Sequence, residues 1–216
     1  MNGYPILLNV QGWRCVIVGG GAVASRKAGD LVACGAEVIV ISPGITPALA
    51  EQVRAGNVTW HQMAYTPGQI AALRPRLVFT ATDDTSVNRA AIWEAHQSGA
   101  LVNAANNEES ADFSSMVTLR RPPITVALTT GGASPALAAR LKDELARAIG
   151  DEYATLAQWL GEVRPTVQDH LPDQAARRDL YQTILDSEVS DHLRRGEMQA
   201  ARAVFEALVY EAEPPR

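Results

Sequence analysis

Cysteine is scarce in this 216-residue chain, and no clustering of metal-binding side chains compensates for it. The two cysteines, Cys15 and Cys34, fall in a predicted strand and a predicted helix, so we expect buried free thiols in a reducing compartment. The four histidines show no metal-ligand spacing. A disulfide framework and a zinc site are therefore not expected, and no metal is predicted.

Excess positive charge and long apolar runs are also missing. The net charge is −5, which lacks the electrostatic footprint of a protein that binds nucleic acid or anionic membrane. The longest apolar run is far below the roughly 20 residues of a membrane span. The start of the chain, MNGYPILLNV, has neither the basic flank nor the cleavage site of a signal peptide. These absences predict a cytoplasmic protein without nucleic-acid or membrane partners.

The first half of the chain alternates short apolar strands with helical segments. The predicted strands cover residues 14–18, 37–41, 58–61, 77–80 and 100–103. Helices are predicted at about 22–34 and at 47–55. A third is predicted to begin at a cap formed by Asp84 or Thr85 and to run to residue 98. This alternation predicts a parallel sheet covered by helices on both faces.

After about residue 113 the pattern changes. Two strands, 116–119 and 124–128, flank a turn at 120–123. A helix follows with Ser134 as its N-cap and Pro135 in its first turn, and its apolar stripe of leucines predicts a core or dimer interface. Residues 152–170, 173–187 and 197–212 have the pattern of amphipathic helices, with breaks expected at Pro165, Pro172 and Gly196.

Between the first strand and the first helix lies VIVGGGAVASRKA, in which Gly19, Gly21 and Ala24 fit G-x-G-x-x-A. In such a loop the first glycine permits the turn, the second lets the backbone approach a pyrophosphate, and the small third residue allows close packing. A merely tight strand–helix turn is the alternative. The context favours a Rossmann-like dinucleotide site. The second strand ends in Ile41-Ser42-Pro43-Gly44 with neither a ribose-binding acid nor a basic residue, which favours NAD over NADP.

Four segments occur in an order and spacing typical of one family: IVGGGAVASRKA, FTATDDTSVN, LVNAANNEESADF and ITVALTTGGASPALAARLKDEL. Over nearly its whole length the chain resembles the precorrin-2 dehydrogenase family, the NAD-dependent part of siroheme synthases. The resemblance implies oxidation of precorrin-2, a polycarboxylated tetrapyrrole, to sirohydrochlorin, with NAD⁺ taking the hydride. Some members then insert Fe²⁺. It also implies a homodimer with an NAD-binding domain at 1–113, a dimerisation segment at 114–150 and a C-terminal helical domain at 151–216.

The motif and the resemblance together select a cofactor site. Backbone groups of the loop at Ala22 and Val23 match the family's pyrophosphate positions, and Pro43 and Gly44 match those near the adenosine. With no acid present, Ser42 or its neighbouring backbone would hold the ribose. Thr82 and Asp83 follow the fourth strand, at the sheet edge where such folds bind ligands. The predicted cofactor-binding residues are Gly19, Gly20, Gly21, Ala22, Val23, Ser42, Pro43, Gly44 and Thr82.

The helix start TTGGASP has a second interpretation beside a structural one. Exposed N–H groups and hydroxyls at a helix N-terminus can bind the carboxylates of a substrate. The predicted substrate-binding residues are Asn103, Thr130, Gly131, Gly132 and Ser134. Arg120 and Arg121 could pair with the same carboxylates, although a solvated turn is the simpler interpretation.

One departure from the family concerns chelation. Members with both activities carry aspartate in V-N-x-x-D, whereas Asn106 stands there in this chain. An amide has no titratable carboxylate, so we expect a stand-alone dehydrogenase-type member with a separate chelatase and methyltransferase in the pathway. Asp112 could substitute, but its polar surroundings favour a solvated loop residue.

The catalytic group is not assigned; the candidates are Asn106, Asp112 and Asp83. Asp83 and Asp84 could instead be a helix N-cap pair, and Asn106-Asn107 could be a turn. A bifunctional dehydrogenase–ferrochelatase and a non-enzymatic NAD- or tetrapyrrole-binding subunit remain as alternative functions.

Overall fold

The computed structural model describes residues 3–104 and 110–212. The chain divides into two compact units, Asn2–Ser115 and Met116–Arg216.

The first unit alternates strands and helices along its whole length. Its five strands form one parallel sheet in the order β3-β2-β1-β4-β5. The α/β Rossmann-like fold predicted from the sequence is confirmed. The elements are β1 Arg14–Val18, α1 Ala22–Ala33, β2 Glu37–Ile41, α2 Pro47–Arg54, β3 Val58–His61, α3 Gln69–Leu73, β4 Leu77–Thr80, α4 Thr85–Gln97 and β5 Leu101–Ala104.

Side chains from alternate strand positions build a core on each face of the sheet. Ile17 and Val40 belong to one buried cluster together with α1, and Val16 and Ile39 belong to the other together with α4. Continuous apolar strands such as EVIVI arise because both faces of a parallel sheet are covered. Because the five strands are parallel, their carboxyl ends all lie at one edge of the sheet. The loops that follow the strands are positioned at this edge.

Cys15 is a buried free thiol, as predicted, whereas Cys34, which was also expected to be buried, is only half-buried. Cys15 lies in β1 and is fully buried. Burial, reinforced by the Glu37 carboxylate, raises the pKa of the Cys15 thiol to about 11. The thiol is therefore protonated and unreactive at neutral pH.

The short helix α3 and the buried glutamate that fixes it were not predicted from the sequence. Glu94, on α4, is 6% exposed. Its carboxylate accepts hydrogen bonds from the Ala71 N–H at 2.8 Å and from the Tyr65 hydroxyl. Burial opposes ionisation, but these bonds and those from the N–H groups of Gly68 and Ile70 outweigh it and lower the pKa of Glu94. A five-residue helix shows too little periodicity to predict, and this carboxylate stabilises its N-terminus.

We expect Glu94→Gln to destabilise the protein by about 2 kcal/mol, because a neutral amide replaces a charged acceptor of several buried donors. Urea unfolding at neutral pH measures the effect, and Glu51→Gln on the exposed face of α2 is the matched control. The folded-state pKa of Glu94 is lowered, so its stabilisation is fully present above the ordinary glutamate pKa of 4.5 and is lost as pH falls through the folded-state value. An equal difference in stability between wild type and variant at all pH values would contradict this assignment.

The second unit begins with an antiparallel pair, β6 Val117–Arg121 and β7 Ile124–Leu128, joined at Pro122-Pro123. The turn is shorter than predicted, because Arg120 and Arg121 belong to β6 and pair with Thr125 and Ile124 of β7. The helices are α5 Pro135–Ala148, α6 Asp151–His170, α7 Gln174–Asp186, α8 Val189–Arg194 and α9 Met198–Glu211.

The expected break at Pro165 is wrong, since α6 continues through it. Proline removes one hydrogen bond of the helix. However, Trp159 before it and Val167 after it are buried in the same cluster, around Phe205 of α9. Packing on both sides of the proline keeps α6 continuous. Within the described ranges, no helix is long and apolar enough to cross a membrane.

Candidate functional site

The first two glycines of the loop between β1 and α1 are required by the chain itself. Gly19 has φ +122°, and a Cβ there would lie 2.3 Å from the Ala81 carbonyl oxygen. A Cβ at Gly20 would lie 2.0 Å from the Gly44 carbonyl oxygen. Both distances are too short for any side chain. These glycines bring the loops after β4 and β2 into contact with the loop after β1.

Gly21 differs from its neighbours because it faces open space. Its φ is −79°, which any residue can adopt, and a Cβ there would meet no atom of the described residues within 4 Å. It is the N-cap of the twelve-residue α1, with no side-chain cap and no acidic residue in the first turn. The fully buried Ala24 lets α1 pack closely on the sheet. An open, uncapped helix N-terminus beside close-packed glycines fits a dinucleotide pyrophosphate.

The loop after β2 is fastened internally. The buried Ser42 donates its hydroxyl to the Gly44 carbonyl at 2.7 Å, and its own carbonyl accepts the Trp60 Nε1–H at 2.9 Å. Ser42 therefore has no hydroxyl proton left for a ribose and can offer only an acceptor. Glu37 lies at the other end of β2, where it pairs with Arg14 at 3.0 Å. The ribose role of Ser42 stays a prediction.

The loop after β4 is held by a residue that sequence reasoning missed. Asn88, on α4, is buried; its Oδ1 accepts the Thr82 hydroxyl and its Nδ2 donates to the Thr82 carbonyl, both at 2.8 Å. The only signal was a polar residue on the buried face of an amphipathic helix. Thr82 is thereby fixed beside the loop after β1.

The two aspartates that follow Thr82 have different roles. Asp84 is the N-cap of α4, accepting from the N–H groups of Ser86 and Val87. The Ser86 hydroxyl and then these backbone bonds lower the pKa of Asp84. The capping interpretation is correct for Asp84. Asp83 is exposed and makes no side-chain hydrogen bond to any residue in the described ranges.

At the end of β5, Asn103 and Asp112 are both used structurally. Asn103 is buried and donates its amide to the Phe113 carbonyl at 2.8 Å. The Asp112 carboxylate accepts the Val102 N–H at 2.8 Å and contacts His96 Nε2 at 3.1 Å, while the Asp112 N–H donates to the Val102 carbonyl at 2.9 Å. Asp112 is an exposed loop residue, as expected, but its hydrogen bonds hold it against Val102 of β5. Asn106 lies outside the described residues.

The TTGGASP segment of the second unit is a helix start, as predicted. Ser134 caps α5 by accepting the Leu137 N–H at 3.1 Å. Thr130 Oγ1 donates to the Ser134 carbonyl and accepts its N–H, both at 3.2 Å. Gly131 and Gly132 have φ of +62° and +85°, so the left-handed backbone itself requires glycine. Binding of substrate carboxylates here stays a prediction.

Arg121 lies in β6 and not in the expected solvated turn, while its pairing with substrate carboxylates stays a prediction. Its guanidinium pairs with Asp151 and donates to the Ala146 carbonyl at 2.9 Å. This side chain joins β6 to the end of α5 and the start of α6. Arg120 also lies within β6. Across the described residues, no group of three or more histidine, cysteine or acidic side chains could hold a metal ion.

Comparisons with known proteins cover both units. Residues 6–116 match a family model described as putative NAD(P)-binding. Residues 121–148 match the central region of the sirohaem biosynthesis protein, and residues 152–209 match the sirohaem synthase dimerisation region.

Similar curated proteins are longer than this chain. The siroheme synthase of Chromobacterium violaceum is 36% identical over 97% of this chain and 44% of its own length. That of Hydrogenovibrio crunogenus is 34% identical over 96% of this chain and 44% of its own length. The chain therefore spans less than half of these relatives.

A solved structure described as SirC, precorrin-2 dehydrogenase, has the same fold, with a TM-score of 0.77 and 23% identity. The likeness covers 95% of this chain and all of that one. The match over residues 6–116 includes just over half of the chain. As the resemblance predicted, the chain belongs to the putative NAD(P)-binding family, and it continues into the central and dimerisation regions of sirohaem synthases.

Proposed function

We propose that the chain is an NAD-dependent dehydrogenase that oxidises precorrin-2 to sirohydrochlorin. The observation that carries this proposal is the open, uncapped N-terminus of α1 at Gly21, within an NAD(P)-binding fold that continues into sirohaem-biosynthesis regions. The siroheme synthase relatives support the choice of substrate.

Each loop has a part in this reaction. Backbone N–H groups at Gly21, Ala22 and Val23 bind the pyrophosphate, where the dipole of α1 favours negative charge. Asn88 holds Thr82 at the same sheet edge, so that the loop after β4 does not move into the cofactor site. NAD⁺, when bound, supplies the hydride acceptor. The substrate proton leaves to a group not yet assigned, for which the exposed Asp83 is a candidate.

NAD is the proposed cofactor in preference to NADP. Residues 42–46, Ser-Pro-Gly-Ile-Thr, contain no positive charge that could pair with a 2′-phosphate. The buried free thiol of Cys15 and the nicotinamide cofactor favour a reducing, cytoplasmic setting.

An anaerobic turnover assay tests the function directly. Precorrin-2 and NAD⁺ should give NADH and sirohydrochlorin in equal amounts, and omission of either reactant should abolish both products. Binding of both reactants without turnover would favour the non-enzymatic subunit instead.

We also propose that the chain forms a homodimer through residues 114–150, between a domain at 1–113 and a helical domain at 151–216. Within residues 116–150, Ala138 alone belongs to the buried apolar set, and Leu137 is 48% exposed. A segment with two strands and a helix needs more cover than this to be stable. The match of residues 152–209 to a dimerisation region supports a dimer, and it assigns dimerisation to the C-terminal helices, beyond residues 114–150.

Light scattering at micromolar concentration is expected to give twice the chain mass of 23.2 kDa. Leu137→Glu, at an exposed apolar position of α5, should shift the mass towards that of a monomer, whereas Trp93→Glu, at an exposed apolar position of α4, should not. A monomeric wild-type protein would contradict the proposal.

A further inference from the structure

The segment 110–115 crosses from the edge of β5 towards α1 and is fastened at three points. Asp112 binds Val102 and His96 at the sheet edge. The Phe113 carbonyl accepts the Asn103 amide at 2.8 Å. The third fastening is on α1, where the Lys27 ammonium donates to the Ser115 hydroxyl.

Lys27 lies in apolar surroundings at this third point. Its Nζ is 5.5 Å from the centroid of the Phe79 ring, on β4. Phe79 in turn packs edge-to-face against Phe113, with ring centroids 5.6 Å apart. A cation over an aromatic face is attracted to the ring, and more strongly when it is partly removed from water. Within the described residues, Lys27 has no carboxylate within ion-pair distance.

These contacts place Lys27 close to the functional edge of the sheet. Phe79 is the residue before the end of β4, and Asn103 is its neighbour in register on β5. In a helix, side chains lean towards the N-terminus. The Lys27 side chain therefore extends towards the N-terminus of α1, where the glycine loop lies. One ammonium group thus connects the cofactor helix to the segment that holds Asn103.

We propose that Lys27 is a positioning residue that fastens segment 110–115 to α1 and thereby holds Asn103 and the end of β5 in place for the substrate. The connection between Lys27, Ser115 and Phe113 rests on geometry alone. Only the last step, towards the substrate, rests on the proposed dehydrogenase function.

The protonation state of Lys27 gives the proposal a distinctive signature. Burial, then the Arg26 charge, lower the pKa of Lys27 to about 8, partly opposed by Asp30. Arg26 and Asp30 both come from α1; β4 contributes the uncharged Phe79, and the segment contributes the Ser115 hydroxyl. Asp112, the charged member of the segment, is engaged with Val102 and His96. Above pH 8 the neutral amine loses both the attraction to the ring and the charged donor to Ser115.

Hydrogen–deuterium exchange of segment 110–115 tests the positioning step without any activity assay. After correction for intrinsic exchange, protection in the wild-type protein should fall as pH rises through 8. Lys27→Arg, which stays charged, should remove this pH dependence, and Lys27→Met should lose protection at every pH. Arg89→Met, which removes an exposed positive charge from α4, is the matched control. Equal protection in wild type and Lys27→Met would overturn the proposal.

Steady-state kinetics test the substrate step. Lys27→Met should raise KM for precorrin-2 by about tenfold while KM for NAD⁺ changes by less than about twofold, and Lys27→Arg should restore the wild-type value. Equal increases in both KM values would show that Lys27 has only a general structural role, and this would overturn the substrate step. Complete absence of turnover in the wild-type protein would instead contradict the proposed function and leave the exchange result valid.

Discussion

Gly21→Leu should abolish measurable NAD⁺ binding while the protein stays folded. The backbone at Gly21 has φ −79° and open space around it, so leucine meets neither strain nor a clash within the chain. The same open space is where the pyrophosphate must approach the N–H groups of α1, and a branched side chain would fill it. We expect affinity to fall by at least about 100-fold, which corresponds to roughly 2.7 kcal/mol of binding free energy. Isothermal titration calorimetry with NAD⁺ measures the loss.

Two further glycines separate the cofactor effect from effects on folding. Gly29→Leu lies in the same helix, also in open space, but away from the loop, and it should bind NAD⁺ as the wild type does. Gly20→Ala should instead lower the folding stability, because its Cβ would lie 2.0 Å from the Gly44 carbonyl oxygen. Circular dichroism and urea unfolding distinguish the two outcomes. Unchanged NAD⁺ affinity in a folded Gly21→Leu protein would place the cofactor elsewhere.

The sequence predicts features that depend on neighbouring residues. The parallel sheet follows from apolar strands that alternate with helices, and the caps at Asp84 and Ser134 follow from their residue types at helix starts. The glycine motif correctly indicated a tight turn. It did not show that the glycines have different roles, with Gly19 packed against the loop after β4 and Gly21 facing open space.

Features that depend on distant partners could not be predicted. Glu94 accepts an N–H from a helix 23 residues earlier in the chain, and Asp112 binds a strand ten residues earlier. A surface carboxylate and a buried, hydrogen-bonded one have the same appearance in a sequence. The contact between Lys27 and Ser115 could not be predicted for the same reason, since the two residues are 88 positions apart. The substrate side of the site depends mainly on such contacts, and for this reason the catalytic candidates could not be ranked from the sequence.

The second large effect that we expect is the absence of ferrochelatase activity in the wild-type protein. The wild-type protein should oxidise precorrin-2 but fail to insert Fe²⁺ into sirohydrochlorin, because Asn106 replaces the family aspartate with a neutral amide. A carboxylate can attract the incoming cation and accept a displaced pyrrole proton, whereas an amide does neither. Hydride transfer depends mainly on the placement of nicotinamide against the macrocycle, and it can survive the change. Two assays on one preparation measure this, with NADH formation in the first and metal uptake by absorbance in the second.

The hydrogen bonds of Asp112 lead to further predictions for the same two assays. Its Oδ2 accepts the Val102 N–H and contacts His96, which fixes the carboxylate against β5, so Asp112 should not substitute for the missing aspartate. Asn106→Asp should therefore introduce metal insertion, while Asn107→Asp, which adds the same charge one residue later, should not. Asp112→Asn keeps an acceptor for the Val102 N–H and removes the charge, and it should leave both activities of the Asn106→Asp protein unchanged. Strong wild-type chelation that disappears in Asp112→Asn would transfer the role to Asp112, and the carboxylate would then have to leave β5 during metal insertion.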